Sequence, residues 1–89
     1  MAMNTAFKAL ADPTRREILQ LLVKQPLPSG KIAEHFSSSW PTISRHLAVL
    51  KEADLVLVVR DGQQLVYELN TTVFQDVIRH LAGWTRPRR

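Results

Sequence analysis

Two amphipathic segments separated by three consecutive serines constrain the fold of this chain more than any other feature. The serines at 37–39 mark a turn, and the segment after them repeats apolar residues at i, i+4 and i+7, the spacing of one helical face. Those repeats are Ile43, Leu47 and Leu50. Two helices joined by a short turn, from about Ser29 to Ala53, predict a helix-turn-helix.

Capping residues and a turn signal set the order of the remaining elements. Asp61-Gly62 between two apolar runs, residues 55–59 and 65–69, indicates a β-hairpin. Asp54 follows the second of these helices, where left-handed backbone dihedrals are often needed, and Asp tolerates them better than most non-glycine residues. Helix N-caps are indicated at Asp12, Ser29, Ser39, and Asn70 or Thr71. The 89 residues therefore predict a single domain, mainly α with a β-hairpin, in the winged helix-turn-helix order of four helices, hairpin and last helix.

The charge balance favours an anionic partner. The chain carries a formal net charge of +4 and has a pI near 10.1, which fits binding to nucleic acid. It has no cysteine, so disulfides and thiolate metal sites are excluded. No apolar run approaches the ~20 residues that span a bilayer, and residues 1–10 lack the apolar core of a signal peptide. We expect a cytoplasmic protein that does not insert into membranes.

The second helix of the helix-turn-helix presents polar chemistry away from its core face. Thr42 and Ser44 can form hydrogen bonds with base edges or phosphate, and Arg45 can form two hydrogen bonds with guanine. Trp40, in the first turn, can pack on a sugar or a thymine methyl group. These four residues predict a surface that reads double-stranded DNA. The alternative is a polar solvent face on an ordinary core helix.

Four further polar residues lie near this surface. Lys31 is either a phosphate contact or a solvated charge. Arg60, at the base of the hairpin tip, can enter a minor groove or hold a phosphate, or it can be a solvent-exposed turn residue. Gln63 can add a hydrogen bond without charge. His46 lies at the margin of the core face, so we expect a half-buried histidine bonded to backbone rather than a base reader.

The last helix carries a broad apolar stripe. Its members are Val73, Phe74, Val77, Ile78, Leu81 and Trp84. The stripe can be ordinary core, but together with the apolar first helix it offers more surface than one small domain covers, which favours a homodimer. Two recognition helices about one helical turn apart would then read a two-fold symmetric site. The basic tail at 86–89 either contacts phosphate or makes no contact.

Five segments spread over nearly the whole chain match one family pattern. They are residues 11–19 (ADPTRREIL), 32–36 (IAEHF), 41–53 (PTISRHLAVLKEA), 60–62 (RDG) and 67–69 (YEL). With them the chain resembles the ArsR/SmtB family of winged-helix repressors, and within it the small autorepressors of the SdpR type. The resemblance implies a homodimer that reads an inverted-repeat operator, with helix 39–53 in the major groove. It places the wing, 60–64, on the flanking backbone or minor groove.

The resemblance also assigns residues to the two surfaces. DNA contacts carry over to Trp40, Ser44 and Arg45, more loosely to Thr42, and by position to Arg60. The interface is implied to lie on the first and last helices, residues 1–11 and 71–85. Within those helices we expect contacts from Met3, Phe7, Phe74, Val77, Ile78, Leu81 and Trp84.

The chain departs from the family pattern at its metal sites. Metal sensors of the family keep a cysteine pair in or near the third helix, but residues 26–31 contain none. Another family site uses ligands on the last helix, where this chain has only Asp76 and His80. These residues are four apart and should face each other as a surface acid–imidazole pair, with zinc shared between two subunits as the alternative. We expect no metal and no cofactor.

Two turn residues also differ from the family pattern. Gln63 replaces the usual arginine after the wing glycine, and Asp54 replaces the usual glycine after the recognition helix.

The rival functions are less well supported. Ser44 and His46 point in different directions, so they do not form the nucleophile–base pair that would indicate an enzyme. The rivals are a protein-binding module and a non-specific nucleic-acid binder. We expect release from DNA to depend on protein level, a partner protein or a small effector.

Overall fold

Helices surround a small antiparallel sheet in the computed structural model, which describes residues 3–85. The elements are α1 Met3–Leu10, α2 Pro13–Lys24, β1 Leu27–Pro28, α3 Ser29–Ala33, α4 Trp40–Glu52, β2 Val56–Asp61, β3 Gln64–Leu69 and α5 Thr71–Ala82, followed by the 3-10 turn Gly83–Thr85. This order confirms the predicted mainly α winged helix-turn-helix. The predicted basic tail at 86–89 lies outside the described residues.

Two of the predicted helix caps are confirmed by their hydrogen bonds. The Asp12 carboxylate accepts the backbone N–H of Arg15 at 3.1 Å, and Pro13 takes the first helical position. That hydrogen bond is the main cause that lowers the pKa of Asp12, against a smaller rise from burial. At the start of α5 the Asn70 side chain accepts the N–H of Val73 at 3.5 Å.

The other two predicted caps differ from expectation. Ser29 lies inside α3, and Pro28 takes the cap position without a side-chain hydrogen bond. Helix α3 ends at Ala33 rather than Phe36, and turns continue to residue 36. Ser39 does occupy the N-cap of α4, but its hydroxyl makes no cap hydrogen bond. Pro28 has a fixed φ that suits the extended residue before a helix, which explains why it displaces Ser29 from that position.

Helix α4 ends in a left-handed turn that is confirmed at Asp54, whose φ is 59°. The Leu55 N–H bonds to the Leu50 carbonyl at 3.1 Å, and the Asp54 N–H bonds to the Lys51 carbonyl at 3.0 Å. This is the Schellman arrangement, in which two otherwise unpaired carbonyls are satisfied. Leu50 and Leu55 are both fully buried, so the turn also directs the chain back into the core.

The sheet has three antiparallel strands in the order β1-β3-β2. Asp61 pairs with Gln64, so the hairpin turn consists of Gly62 and Gln63, one residue later than the predicted Asp61-Gly62 centre. Gly62 has a φ of 64°, which glycine adopts without strain. Strand β1 was not predicted because it has only two residues, one of them proline, too few for an alternating pattern.

The hairpin is closed at its base by one residue. The Asn70 backbone N–H bonds to the Leu55 carbonyl at 3.0 Å, and the Asn70 side-chain amide donates to the Asp54 carbonyl at 3.0 Å. The same side chain caps α5. Asn70 therefore ties the end of α4, the base of the wing and the start of α5 together.

The core draws one or more side chains from nearly every element. Its largest fully buried members are Ile18, Ile32, Ile43, Leu47, Leu50 and Leu55. Tyr67 on β3 is buried as well, and burial raises the pKa of its hydroxyl. Among the helices within 3–85, none is long and apolar enough to cross a membrane.

Candidate nucleic-acid interface

Helix α4 separates a buried apolar face from an exposed polar one. Ile43, Leu47 and Leu50 are at most 1% exposed, which fixes the helix against the core. Arg45 is exposed on the other side, and Trp40 in the first turn is 50% exposed. The remaining reading residues, Thr42 and Ser44, are half-buried at the margins. The four predicted side chains therefore share one helix, but only Arg45 and Trp40 project fully from it.

Arg45 forms no salt bridge within the described part of the chain. The two salt bridges found in residues 3–85 join Lys31 to Glu34 and Arg79 to Asp76. A guanidinium group presents paired N–H donors in a plane, which matches two acceptors on one guanine or on one phosphate. Arg45 is therefore the side chain of α4 best suited to contact DNA directly.

Two hydroxyl groups meet at the start of α4. The Ser39 and Thr42 side-chain oxygens lie 3.0 Å apart, so one hydroxyl donates to the other. The accepting hydroxyl keeps its own proton for another partner, since each hydroxyl has one donor and two lone pairs. Thr42 thus retains hydrogen-bonding capacity toward DNA while its rotamer is held by Ser39.

The tip of the wing and the start of α3 form the two sides of one groove of about 390 Å³. Lys31 lines it from α3 and Glu34 from the residue that follows α3, and Gln63 and Gln64 line it from the wing. Lys31 and Glu34 form an exposed ion pair at 3.8 Å, which partly offsets the lysine charge. The structure thus brings together two predicted contact residues, Lys31 and Gln63, that are far apart in sequence.

Arg60 is placed near the free end of strand β2, opposite Leu65, and is exposed. It lies in a separate shallow groove with Val59, Asp61 and Glu68 rather than in the groove of Lys31 and Gln63. Side chains alternate across a strand, so Arg60 shares the face of Val58 and of its cross-strand partner Leu65, whereas Asp61 and Glu68 lie on the opposite face. No salt bridge joins Arg60 to either carboxylate within residues 3–85.

His46 has a different partner from the one predicted. It is half-buried, as expected, but its Nδ1 lies 3.2 Å from the Arg15 Nη1 and not against backbone. Sequence reasoning missed Arg15 altogether. A signal was available, because Arg15 and Arg16 stand in the first turn of a helix, where cations are unfavourable unless they have other partners.

The predicted interface residues divide into three groups by their exposure. Ile78, Leu81 and Trp84 are 61%, 40% and 70% exposed, and we call these three the C-terminal apolar face. Met3, Phe7 and Phe74 are half-buried and pack against the core. Val77 is 3% exposed, so its side chain belongs to the core of its own protomer and not to the exposed face.

The expected pair between Asp76 and His80 is wrong. Asp76 accepts a hydrogen bond from Arg79 at 3.0 Å instead. The His80 ring packs between aromatic rings, with its centroid 5.6 Å from that of Phe7 and 5.5 Å from that of Trp84. Nowhere in residues 3–85 do three or more His, Cys, Asp or Glu side chains gather as they would to hold a metal ion.

Comparison with known proteins agrees with this geometry. A family described as a helix-turn-helix domain matches residues 10–59. The chain is 54% identical to the transcriptional repressor SdpR of Bacillus subtilis over 82 residues, covering 92% of this chain and 91% of that protein. It is 38% identical to an arsenical resistance operon repressor of Staphylococcus aureus, covering 89% and 76%.

The solved structures give the same result. An ArsR-like transcriptional regulator from Rhodococcus sp. RHA1 superposes with a TM-score of 0.82 at 29% identity, over 92% of this chain and 81% of that one. Because these relatives are transcriptional regulators, the role of this chain is non-enzymatic. The chain belongs to the ArsR family and is a DNA-binding transcriptional repressor with a winged helix-turn-helix fold.

Proposed function

We propose that this repressor acts as a homodimer that reads an inverted-repeat operator, with α4 of each protomer in the major groove. The exposed, uncommitted guanidinium of Arg45 on the outer side of α4 carries the proposal. Direct readout of a base pair needs a donor or acceptor that reaches the groove from a rigid helix. Leu47 and its buried neighbours supply that rigidity from the opposite face.

Trp40, Thr42 and Ser44 extend this reading surface. Trp40 offers an apolar contact to a sugar or a thymine methyl group, and the two hydroxyls offer bonds to base edges or phosphate. Lys31 and Gln63 lie on the two sides of one groove, so both can contact one stretch of flanking backbone. Arg60, exposed near the tip of the wing, offers a further contact to a phosphate or a minor groove.

The C-terminal apolar face supports the homodimer. Three large apolar side chains, Ile78, Leu81 and Trp84, stay exposed close together on one end of the protomer. Phe7 joins them through its ring contact with Trp84 at 6.2 Å. A second copy that covers this face would remove apolar surface from water on both protomers and set two α4 helices on one DNA duplex.

Selection from random duplexes tests the proposal. The full chain should enrich an inverted repeat whose half-site centres are about one helical turn of DNA, or a multiple of it, apart. Arg45→Ala should keep its thermal unfolding curve and lose roughly tenfold or more in affinity for the enriched site. Arg79→Ala is the matched control, because it removes the same charge from an exposed arginine on α5.

Each outcome of the selection has a distinct meaning. Loss of affinity in Arg45→Ala but not in Arg79→Ala supports readout by α4. Equal losses in both variants would mean that only the overall charge matters, which describes a non-specific nucleic-acid binder. No enriched sequence at all would favour the protein-binding alternative.

A further inference from the structure

Two neighbouring arginines in the first turn of α2 clamp the end of α1. Arg15 donates from Nε to the Ala9 carbonyl at 2.7 Å and from Nη2 to the Lys8 carbonyl at 3.1 Å. Arg16 donates from Nη1 to the Leu10 carbonyl at 2.7 Å. The last carbonyls of a helix have no partner within it, so both side chains satisfy acceptors that α1 cannot satisfy itself.

Of these two arginines, Arg15 is the one whose bond extends to α4. Its remaining terminal nitrogen lies 3.2 Å from Nδ1 of His46. A guanidinium group stays protonated and can only donate, so Nδ1 of His46 must accept and its proton must sit on Nε2. The bond therefore favours the His46 tautomer whose proton is on Nε2. The backbone of Arg15 is held in turn by its N–H bond to Asp12 at 3.1 Å.

His46 directly follows Arg45 on the recognition helix. The core holds the inner face of α4, and the bond to His46 restrains the margin of that face one residue from Arg45, so it helps to decide where Arg45 points. We infer that Arg15 is a positioning residue for DNA recognition, which sets the orientation of α4 through His46 while it is anchored on α1. This inference rests on the proposed function, because it assigns a role in reading the same operator.

The bond between Arg15 and His46 also connects the helix next to the C-terminal apolar face with the helix that carries the reading residues. Helix α1 carries Phe7, whose ring contacts the C-terminal apolar face. Helix α4 carries the reading residues. The two helices also pack directly on each other, and Arg15 adds a polar link between the end of α1 and α4.

Four single variants test this role on the selected operator. Arg15→Gln and Arg16→Gln each remove one positive charge and one clamp on α1, but only the first removes the bond to α4. His46→Leu removes the acceptor and leaves both clamps intact. His46→Asn keeps an acceptor oxygen near the place of Nδ1. Operator affinity, affinity for an unrelated duplex, dimer mass and thermal unfolding are measured for each.

We expect Arg15→Gln and His46→Leu each to lose about tenfold in operator affinity, because the free repressor would then hold Arg45 in the reading orientation for only about a tenth of the time. Arg16→Gln and His46→Asn should stay within about twofold of the parent. Affinity for the unrelated duplex should change equally in Arg15→Gln and Arg16→Gln. The double variant Arg15→Gln/His46→Leu should bind no more weakly than either single variant, because both remove one contact.

Other results would overturn the inference. If His46→Leu binds the operator like the parent, the bond does not position α4, even where Arg15→Gln fails to fold. Equal losses in Arg15→Gln and Arg16→Gln would assign the effect to charge or to the clamp on α1. Additive losses in the double variant would separate the two residues. A failure of the proposed function looks different, because the parent itself then enriches no operator.

Discussion

Helices α4 and α5 are both amphipathic, but only α4 hides its apolar side chains within the protomer. Its three large core residues are at most 1% exposed, and its outer side is polar. Helix α5 buries Val77 alone and leaves Ile78 and Leu81 exposed, with Trp84 just beyond its end. The apolar core face of α4 is therefore complete in one protomer, whereas α5 leaves part of its apolar stripe exposed.

The largest effect should come from the buried face of α4. Leu47→Ala removes a side chain that is 1% exposed and leaves a cavity, so the free energy of unfolding should fall by about 3 kcal/mol. Urea denaturation at a fixed protein concentration measures this loss. Leu81→Ala is the matched control on α5, with a much smaller expected loss in the protomer itself. Equal losses would mean that both helices are equally part of one core.

The next effect should appear in association rather than in folding. Ile78→Glu places a charge in the C-terminal apolar face, so the free energy of dimer formation should weaken by about 2 kcal/mol or more. Sedimentation over a dilution series measures the change. Gln75→Glu adds the same charge to an exposed polar position of α5 and should leave the dimer intact. A dimer that tolerates Ile78→Glu would place the interface elsewhere.

The N-caps of the two helices provide a smaller contrast. Asn70→Ala removes the cap of α5 and the bond to the Asp54 carbonyl, which should cost about 1 kcal/mol in the free energy of unfolding. Ser39→Ala should cost at most about 0.5 kcal/mol, because Ser39 makes no cap hydrogen bond. Thermal unfolding of both variants checks the difference, and a reversed order would contradict the described caps.

The smallest effect concerns the end of α4. Asp54→Gly relieves a left-handed backbone at φ 59° but gives the unfolded chain more freedom, so the net gain in the free energy of unfolding should be about 0.5 kcal/mol. The Schellman hydrogen bonds use only backbone atoms and persist in the variant. A loss of stability on this substitution would show that the Asp54 carboxylate has a role of its own.

The sequence predicted α4 well and α5 less well, for a physical reason. The periodicity of Ile43, Leu47 and Leu50 reports burial within one chain, and the structure confirms it. The stripe on α5 has the same periodicity, but periodicity does not distinguish the residues buried within the protomer from those left exposed. Val77 therefore could not be separated from Ile78 before the packing was known.

Several of the details that sequence reasoning missed depend on contacts between elements. The partner of His46 is Arg15, which lies 31 positions away in sequence, and no local pattern links them. The pairing of Asp76 with Arg79 rather than His80 follows from Phe7 and Trp84, which draw the imidazole into an aromatic cluster. The turn centre moved by one residue because strand register, and not residue preference alone, fixed Gly62 and Gln63 as the loop.

The closure at Asn70 fixes the base of the wing, so the length of the hairpin can change at its exposed tip. Residues 55 and 70 are joined by a backbone hydrogen bond, and the Asn70 side chain secures residue 54, so the hairpin leaves and re-enters the protein at nearly one point. Extra residues between Gly62 and Gln63 would therefore lengthen the hairpin without displacing α4 or α5. The entropic cost of such a loop grows only with the logarithm of its length. Changes in wing length should thus cost this fold little stability.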